Sequence, residues 1–410
     1  MTTAAADAPV AAVQHDRRIT LALFAAGLTT FASMYSAQAL LPSLSAAFGA
    51  TPAHAALAVS LTTGLLAVAI IPVSTLSDRF GRTRVMQVSA VTTAAIGLLL
   101  PFAPTLESLL VGRAIQGVAV AGVPAVAMTY LAEEIGASGL GAAMGVYVAG
   151  TSVGGLAGRL IPAVTLEAAS WRWAAAAVAA AAAVCTLWFL RALPESRGFS
   201  PRPLGIRGLA TDLAGHLRHR TLLPLFALAF VLAGGFTAVY NFLGYRLTRT
   251  PFELSEAAAG SVFIMYLAGT IAATVAGRLA DRLGRSRVVG AAIATMAAGL
   301  ALTLPDRLPA ILLGVLLCTA GFFAAHAVAS GWVGAAAQGN RAAASSLYVF
   351  AYYAGNSVIG GGAGLAYGHH GWPGVAMYVS TLVFLAAALA TWLHITARSR
   401  STVDAAAFLR

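Results

Sequence analysis

Two stretches decide the fold: Ser77–Val85, SDRFGRTRV, and Ala280–Val288, ADRLGRSRV. Starting at 77 and 280, they lie 203 residues apart and keep acid, glycine and two arginines in register. A second echo pairs Ala149–Val153, AGTSV, with Ala354–Val358, AGNSV, each soon followed by paired glycines. Two echoes at nearly one offset mean that the chain is a duplication, and chance similarity would not keep that register.

Each copy of the charged stretch sits between long apolar runs. The chain has 410 residues, 59% hydrophobic and only 10% charged, whereas a water-soluble surface needs about 25% charged residues. The exterior is therefore expected to be lipid. A helix crosses a hydrocarbon core with about 20 apolar residues at 1.5 Å each. Such runs fall at 19–41, 54–76, 84–103, 106–132, 139–163 and 172–190, then at 221–243, 255–278, 287–305, 309–333, 342–367 and 372–396. The expected class is an all-α membrane protein of twelve transmembrane helices in two pseudo-symmetric six-helix bundles. Its parts are a tail 1–18, a bundle 19–190, a linker 191–220, a bundle 221–396 and a tail 397–410. The linker carries Pro194, Pro201 and Pro203 among Arg and His residues and reads as a solvated connector. The first apolar run is too long for a cleaved leader and is expected to span.

Every basic side chain is Arg, for the chain has no Lys. With the N-terminus inside, nineteen arginines fall in cytoplasmic segments, while the outer loops hold only Arg172, Arg246, Arg249 and Arg307. That is a positive-inside bias, and an even helix number returns the C-terminus to the cytoplasm. The net charge of +11 thus reflects topology and not a nucleic-acid surface. Cys185 and Cys318 lie inside apolar runs and offer neither a disulfide framework nor metal spacing. No cofactor or metal is expected.

The charged loop packs Asp78, Arg79, Gly81, Arg82 and Arg84 between two short-linked spans. Asp78 and Asp281 would sit at the membrane edge, where a carboxylate favours a helix N-terminus or an Arg partner. Gly81 and Gly284 permit a turn that a Cβ would obstruct. The pattern Gly-x-Leu-x-Asp-Arg-x-Gly-Arg resembles the loop signature of the major facilitator superfamily. Gly277 to Arg285 matches fully, through Asp281, Arg282 and Gly284, and Arg287 follows; the first copy has Ser74 for the leading Gly. The resemblance implies that Asp78 faces the start of helix eleven near Arg341, and Asp281 the start of helix five, closing the cytoplasmic side. It also makes Glu133 and Glu134 look like acidic partners of Arg82 or Arg84.

Helix four carries Arg113, Gln116 and Gly117 in VGRAIQGVAVAG. A charge there costs ~2.5–3.5 kcal/mol on insertion scales, so it should be paired or line a cavity. No partner is available on its own helix, since Glu133 is too distant and Glu107 projects from another face. Arg113 must be satisfied by another helix, backbone carbonyls, water or an anionic substrate; the plainer role is to tie helices together. The run resembles the helix-four motif of drug:proton antiporters, where the Arg is linked to proton transfer. Helix five has Gly150, Gly154 and Gly158 four apart, plus Gly155, a spacing that lets helices approach closely. It resembles the antiporter glycine motif with Thr151 in place of Pro. Arg159 follows near the outer end, where it could snorkel harmlessly.

Helix eleven offers Tyr348, Tyr352 and Asn356 at i, i+4, i+8, with Tyr353 beside them. Rings bearing hydroxyl and amide groups suit an amphipathic ligand, though a Tyr stripe is as often helix packing. Tyr240 and Asn241 on helix seven, and Tyr35 and Gln38 on helix one, are further candidates. His326 lies within helix ten and can change charge near neutral pH; a buried neutral His is the commoner finding. No Asp or Glu lies well inside any span, so His326, an edge acid or the substrate would have to carry a proton.

Across nearly the whole chain the sequence resembles the YnfM-type branch of bacterial major facilitator permeases, through GVPAVAMTYLAEEI, SWRWA and SSLYVFAYYAGNSVIGG. The resemblance implies a monomeric, multi-pass secondary transporter of the cell inner membrane. It would export a small amphipathic drug, sugar or metabolite against a proton gradient. The alternatives are facilitated or exchange transport of an organic anion through Arg113, and a membrane sensor that binds without translocating. Enzyme activity is not expected, because no nucleophile set, metal cluster or phosphate loop has credible spacing.

Overall fold

The computed structural model describes residues 4–135, 137–196, 199, 206–338 and 340–408, so linker positions 197, 198 and 200–205 and both chain ends lie outside it. Among the described residues every regular element is helical. In order they are α1 (Ala4–Tyr35), α2 (Leu41–Phe48), α3 (Pro52–Phe80), α4 (Arg82–Leu99), α5 (Leu106–Val120), α6 (Gly122–Glu134), α7 (Ala137–Thr165), α8 (Trp171–Ala192) and α9 (Ile206–Leu217). Then come α10 (Leu222–Leu247), α11 (Glu256–Ser261), α12 (Tyr266–Leu283), α13 (Arg285–Leu302), α14 (Leu308–Ala336) and α15 (Arg341–Phe408).

Among the described residues, ten helical stretches are long and apolar enough to cross a bilayer. The last, Arg341–Thr396, has 56 residues. At 1.5 Å per residue it is about 84 Å long, more than twice a hydrocarbon core. Gly371 divides it, with φ 58° and ψ −144°, so it supplies two crossings. α1 supplies another from Ile19 onward, its apolarity diluted by the buried Thr29, Thr30 and Ser33. The fourth expected span is two helices, α5 and α6, broken at Ala121. The eighth is α11, a 3-10 turn over Val262–Met265, and α12. The first expected span, 19–41, ends early at Tyr35, because Ser33 and Met34 give their carbonyls to a side chain on α5 instead of to a further helical turn.

The described chain forms two compact units. Unit 1 comprises Met1–Ala50, Leu57–Leu204 and Ser255–Ser261. Its core gathers Ile19, Leu23, Met86, Val126, Tyr130 and Phe189. α1 and α7 are seamed by small residues: a Cβ at Gly150, Gly154 or Gly158 would overlap the carbonyl of Phe24, Leu28 or Ala32 respectively. Both helices advance four residues per contact, the spacing that small-residue membrane interfaces need. Gly155 is outside this seam. A Cβ there would lie 3.3 Å from Nη1 of Arg159, so that glycine serves the arginine and not the helix pair.

Unit 2 comprises Thr51–Ala56, Gly205–Leu254 and Val262–Arg410. α10 and the first part of α15 repeat the seam: a Cβ at Gly355 would overlap the Phe230 carbonyl, and one at Gly234 the Ile359 side chain. Gly150 and Gly355, the glycines of the AGTSV and AGNSV echo, thus do the same work in their own units. Residues 206–217, read as part of a solvated connector, form α9, which docks on the start of α15. Asn340 Nδ2 donates to Asp212 Oδ2 at 2.8 Å, and His216 Nε2 lies 2.9 Å from the Asn340 carbonyl oxygen. Asn340 also caps α15, accepting the Ala343 N–H at 3.1 Å.

Candidate functional site

The duplicated motif forms two turns of one geometry. Gly81 has φ 98° and ψ 142°, and Gly284 has φ 88° and ψ 141°. Each N–H closes the preceding helix, Gly81 on Ser77 and Gly284 on Ala280, both at 3.1 Å. The side chains around the two turns differ. In the first copy Arg82 is buried at 6% exposure. It meets Asp78 Oδ1 at 2.7 Å, Ser77 Oγ at 2.5 Å and both carboxylate oxygens of Glu133 at 3.0–3.3 Å. Three helices, α3, α4 and α6, are thereby clamped at one end of unit 1. Glu134 accepts from the Ser196 hydroxyl and does not join the clamp. Arg79 and Arg84 are exposed, and Arg79 lies 5.5 Å from the Phe80 ring centroid. In the second copy Arg282, Arg285 and Arg287 are exposed, and Asp281 makes no ion pair among the described residues. Gly277 has open space where a Cβ would go, and Arg341 is exposed at the start of α15.

Arg113 is 1% exposed. Its Nε donates to Ala58 O at 2.9 Å, Nη2 to Met34 O at 2.7 Å, and Nη1 to Ser33 O, Ser36 Oγ and Gln116 Oε1 at 2.9, 3.3 and 2.6 Å. Gln116, three residues on, is therefore a partner on its own helix, contrary to the sequence expectation. That expectation weighed only acids, whereas an amide oxygen suffices. Ser33 and Met34 occupy the last turn of α1, whose carbonyls have no intrahelical partner. A guanidinium there satisfies them and opposes the negative end of the helix dipole. Arg113 is thus the C-cap of α1, delivered from α5. Gln116 Nε2 carries the network on to Thr93 O on α4 at 3.0 Å.

Arg159 does not snorkel. It is 3% exposed, with Nε on Gln38 Oε1 at 2.6 Å and Nη1 on Gly155 O at 2.6 Å. Its guanidinium carbon lies 3.9 Å from the centroid of the Tyr35 ring. Tyr35 and Gln38, weak candidates by sequence, are brought together by this arginine. Arg246 was expected in an outer loop but is the buried last turn of α10, bonded to the carbonyls of Thr303, Leu304 and Pro305 and to Asp306. Arg172 likewise donates to Pro101 O and Ala103 O at 2.6 and 2.9 Å, below α4. The shared signal is an apolar run that stops a few residues before a loop, with an arginine elsewhere free to reach its last carbonyls.

In unit 2, α14 and α15 build an aromatic cluster around His326, which is half-buried. Tyr348 hydroxyl lies 3.1 Å from His326 Nδ1 and 3.1 Å from the His326 carbonyl oxygen. Tyr352 and Phe322 face the imidazole with centroids 4.9 and 5.8 Å away, and Tyr353 packs edge-on against Tyr352 at 5.1 Å. Phe322 stacks on Phe236 at 4.0 Å, which leads to Tyr240 and Tyr266. Asn356 does not join the histidine; its Oδ1 accepts from Thr237 at 2.7 Å. Tyr240 hydroxyl pairs with Thr319 Oγ1 at 2.7 Å, and Asn241 Nδ2 donates to Gly360 O at 3.4 Å. These three polar groups serve the packing of α10 against α14 and α15.

Comparison with known proteins accords with this geometry. The family model described as Major Facilitator Superfamily matches residues 23–248 and 225–408. The chain is 41% identical over 377 residues to the inner membrane transport protein YnfM of Escherichia coli, covering 92% of this chain and 90% of that one. It is 39% identical over 377 residues to YybF of Bacillus subtilis, an uncharacterised transporter of the same type, covering 92% and 93%. Among solved structures, the nucleoside transporter NupG superposes with a TM-score of 0.74 at 16% identity, over 90% of this chain and 99% of that one. Two seams of glycine, two matching turns and this kinship lead to one conclusion: the chain belongs to the major facilitator superfamily.

Proposed function

We infer how this chain, a secondary transporter of the superfamily and not an enzyme, does its work. We propose that it is a proton-coupled exporter of a small amphipathic molecule, working by alternating access in the cell inner membrane as a monomer, with both termini cytoplasmic. One observation carries the reading: His326 is the titratable group inside a span that contacts both hydroxyl-bearing and apolar rings, while every Asp and Glu lies at a helix end, in a loop or in a tail. An imidazole can take up and release a proton, so a proton on His326 would alter the charge felt by a ligand held among Phe322, Tyr348 and Tyr352. In this reading the duplicated turns form the cytoplasmic gate.

Export driven by protons predicts that reconstituted protein moves protons only when a transported solute is present. Proteoliposomes containing a pH-sensitive dye, screened with cationic drugs, sugars and organic acids under both signs of pH gradient, test this. A panel that is transported without any proton movement would overturn the coupling while leaving transport intact.

Exchange of an organic anion through Arg113 is the second reading, favoured by the burial of both Arg113 and Arg159 in unit 1. It requires an anion to displace α1 carbonyls from Arg113, which costs their hydrogen bonds. Arg113→Gln abolishing anion binding in a folded protein would favour it over proton-coupled export.

A further inference from the structure

A groove runs along unit 2 between α13 and the last part of α15, with a volume of about 690 Å³. Its floor is made by small side chains: Gly290, Ala294 and Ala297 on α13 stand opposite Val383, Phe384 and Ala387 on α15. A Cβ at Gly290 would meet nothing within 4 Å, so the space comes from what α13 omits. At one end the groove reaches Ser286, Arg287 and His394, and at the other Leu300 and Ser380. From Arg287 to Leu300 is about 20 Å of helix at 1.5 Å per residue, slightly more than the ~15 Å of acyl chain in one leaflet of a ~30 Å core. The polar end is basic. Arg287 is exposed, and Ser286 Oγ lies 2.8 Å from His394 Nδ1, which fixes the imidazole beside it. No acid lines the groove among the described residues; Asp281 lines an adjoining cavity with Arg285 and Trp332, which shares Ser286 with the groove.

We propose that this groove binds an anionic glycerophospholipid, one acyl chain lying along α13 and the phosphate held by Arg287 and His394. An apolar channel as long as a leaflet is deep selects a lipid over a soluble solute. A basic end at the depth where the helices leave the apolar core selects an anionic headgroup over a zwitterionic one. Unlike the arginines that cap helix ends, Arg287 is spent on no carbonyl or carboxylate among the described residues, and its exposure leaves it open to a phosphate. The inference is independent of the transported substrate.

Native mass spectrometry of the full chain in detergent tests it, with palmitoyl-oleoyl phosphatidylglycerol against phosphatidylcholine of the same chains. One phosphatidylglycerol should be retained in preference. Arg287→Gln should cut that preference about fivefold, the equivalent of ~1 kcal/mol per basic residue. Ala294→Phe, which fills the groove and leaves both basic groups, should lower retention of both lipids. Added glycerol phosphate should compete poorly, since it lacks the chain. Equal retention of the two lipids by the wild type would overturn the proposal. So would phosphatidylglycerol retention unchanged by both substitutions, or full displacement by glycerol phosphate. Melting curves show that each variant is folded, and either variant alone suffices.

Discussion

Gly81 and Gly284 hold the same backbone conformation, within 10° in φ (98° and 88°) and 1° in ψ (142° and 141°), although they end helices of different units. Positive φ with extended ψ is a region that side chains with a Cβ rarely enter. The duplication therefore preserved a backbone shape and let the side chains around it diverge. Alanine at either position should cost about 1–3 kcal/mol. Gly81→Ala and Gly284→Ala should lower the melting temperature in detergent by comparable amounts; an unchanged Tm in either would mean that the turn relaxes freely.

Arg82 and Glu133 form the charged contact at the first turn that joins α4 to α6, with both carboxylate oxygens engaged and the guanidinium buried. Charged hydrogen bonds of this kind contribute about 1.5–3 kcal/mol. A double-mutant cycle of Arg82→Gln and Glu133→Gln, read by thermal unfolding, should show coupling of about that size. The corresponding Arg285→Gln should be nearly neutral, because Arg285 is exposed and makes no ion pair among the described residues.

Arg113→Gln should destabilise unit 1, since Met34 O would be left without its donor in a dry interior at about 1–3 kcal/mol. Ser33 O and Ala58 O would keep the Ser36 and Thr62 hydroxyls and lose only the charged bond. Arg113→Lys keeps the charge but has three donors on one atom in place of a planar fork, so it should restore only part of the loss. Expression yield and Tm of the three proteins should rank Arg, Lys, Gln. Equal stability would show that the α1 terminus does not need its cap.

The turns, the glycine seams and most of the span positions were legible from sequence because they rest on periodicity and on residue types with few alternatives, such as Gly81 and Gly150. The end of α1 and the turns that follow α4 and α13 were not. Their carbonyls are satisfied by Arg113, Arg172 and Arg246, each distant in the chain or on another helix, and no local pattern announces such a pairing. Arg159 was misplaced for the same reason, its partners Gln38 and Tyr35 lying beyond a turn on another helix. His326 was visible as a lone titratable residue in an apolar run, but its ring of Tyr348, Tyr352 and Phe322 needed the packing of α14 against α15.

Glu167, exposed between α7 and α8, accepts the Ala257 N–H at 2.6 Å. Hydrogen bonds from the Ser255 side chain and from that N–H hold its carboxyl below the usual glutamate range. A depressed folded-state value makes the contact fully present above the ordinary pKa of about 4.3 and lost as pH falls through the lower folded value. Hydrogen exchange at the Ala257 amide, corrected for intrinsic rate, should therefore be steady from about pH 7 to 5 and lose protection below about pH 4. Glu167→Gln should remove that pH dependence, and a profile unchanged by the substitution would assign the protection to helix α11 alone.

The most direct test of proton carriage by His326 compares wild type with His326→Gln in the same proteoliposomes, once a transported solute is known. Two fluxes are read: protons driven by a solute gradient, and one-for-one solute exchange at equal pH. Loss of proton flux with exchange preserved is the expected result. Undiminished proton movement in His326→Gln would contradict the assignment and send the search to the acids at the helix ends.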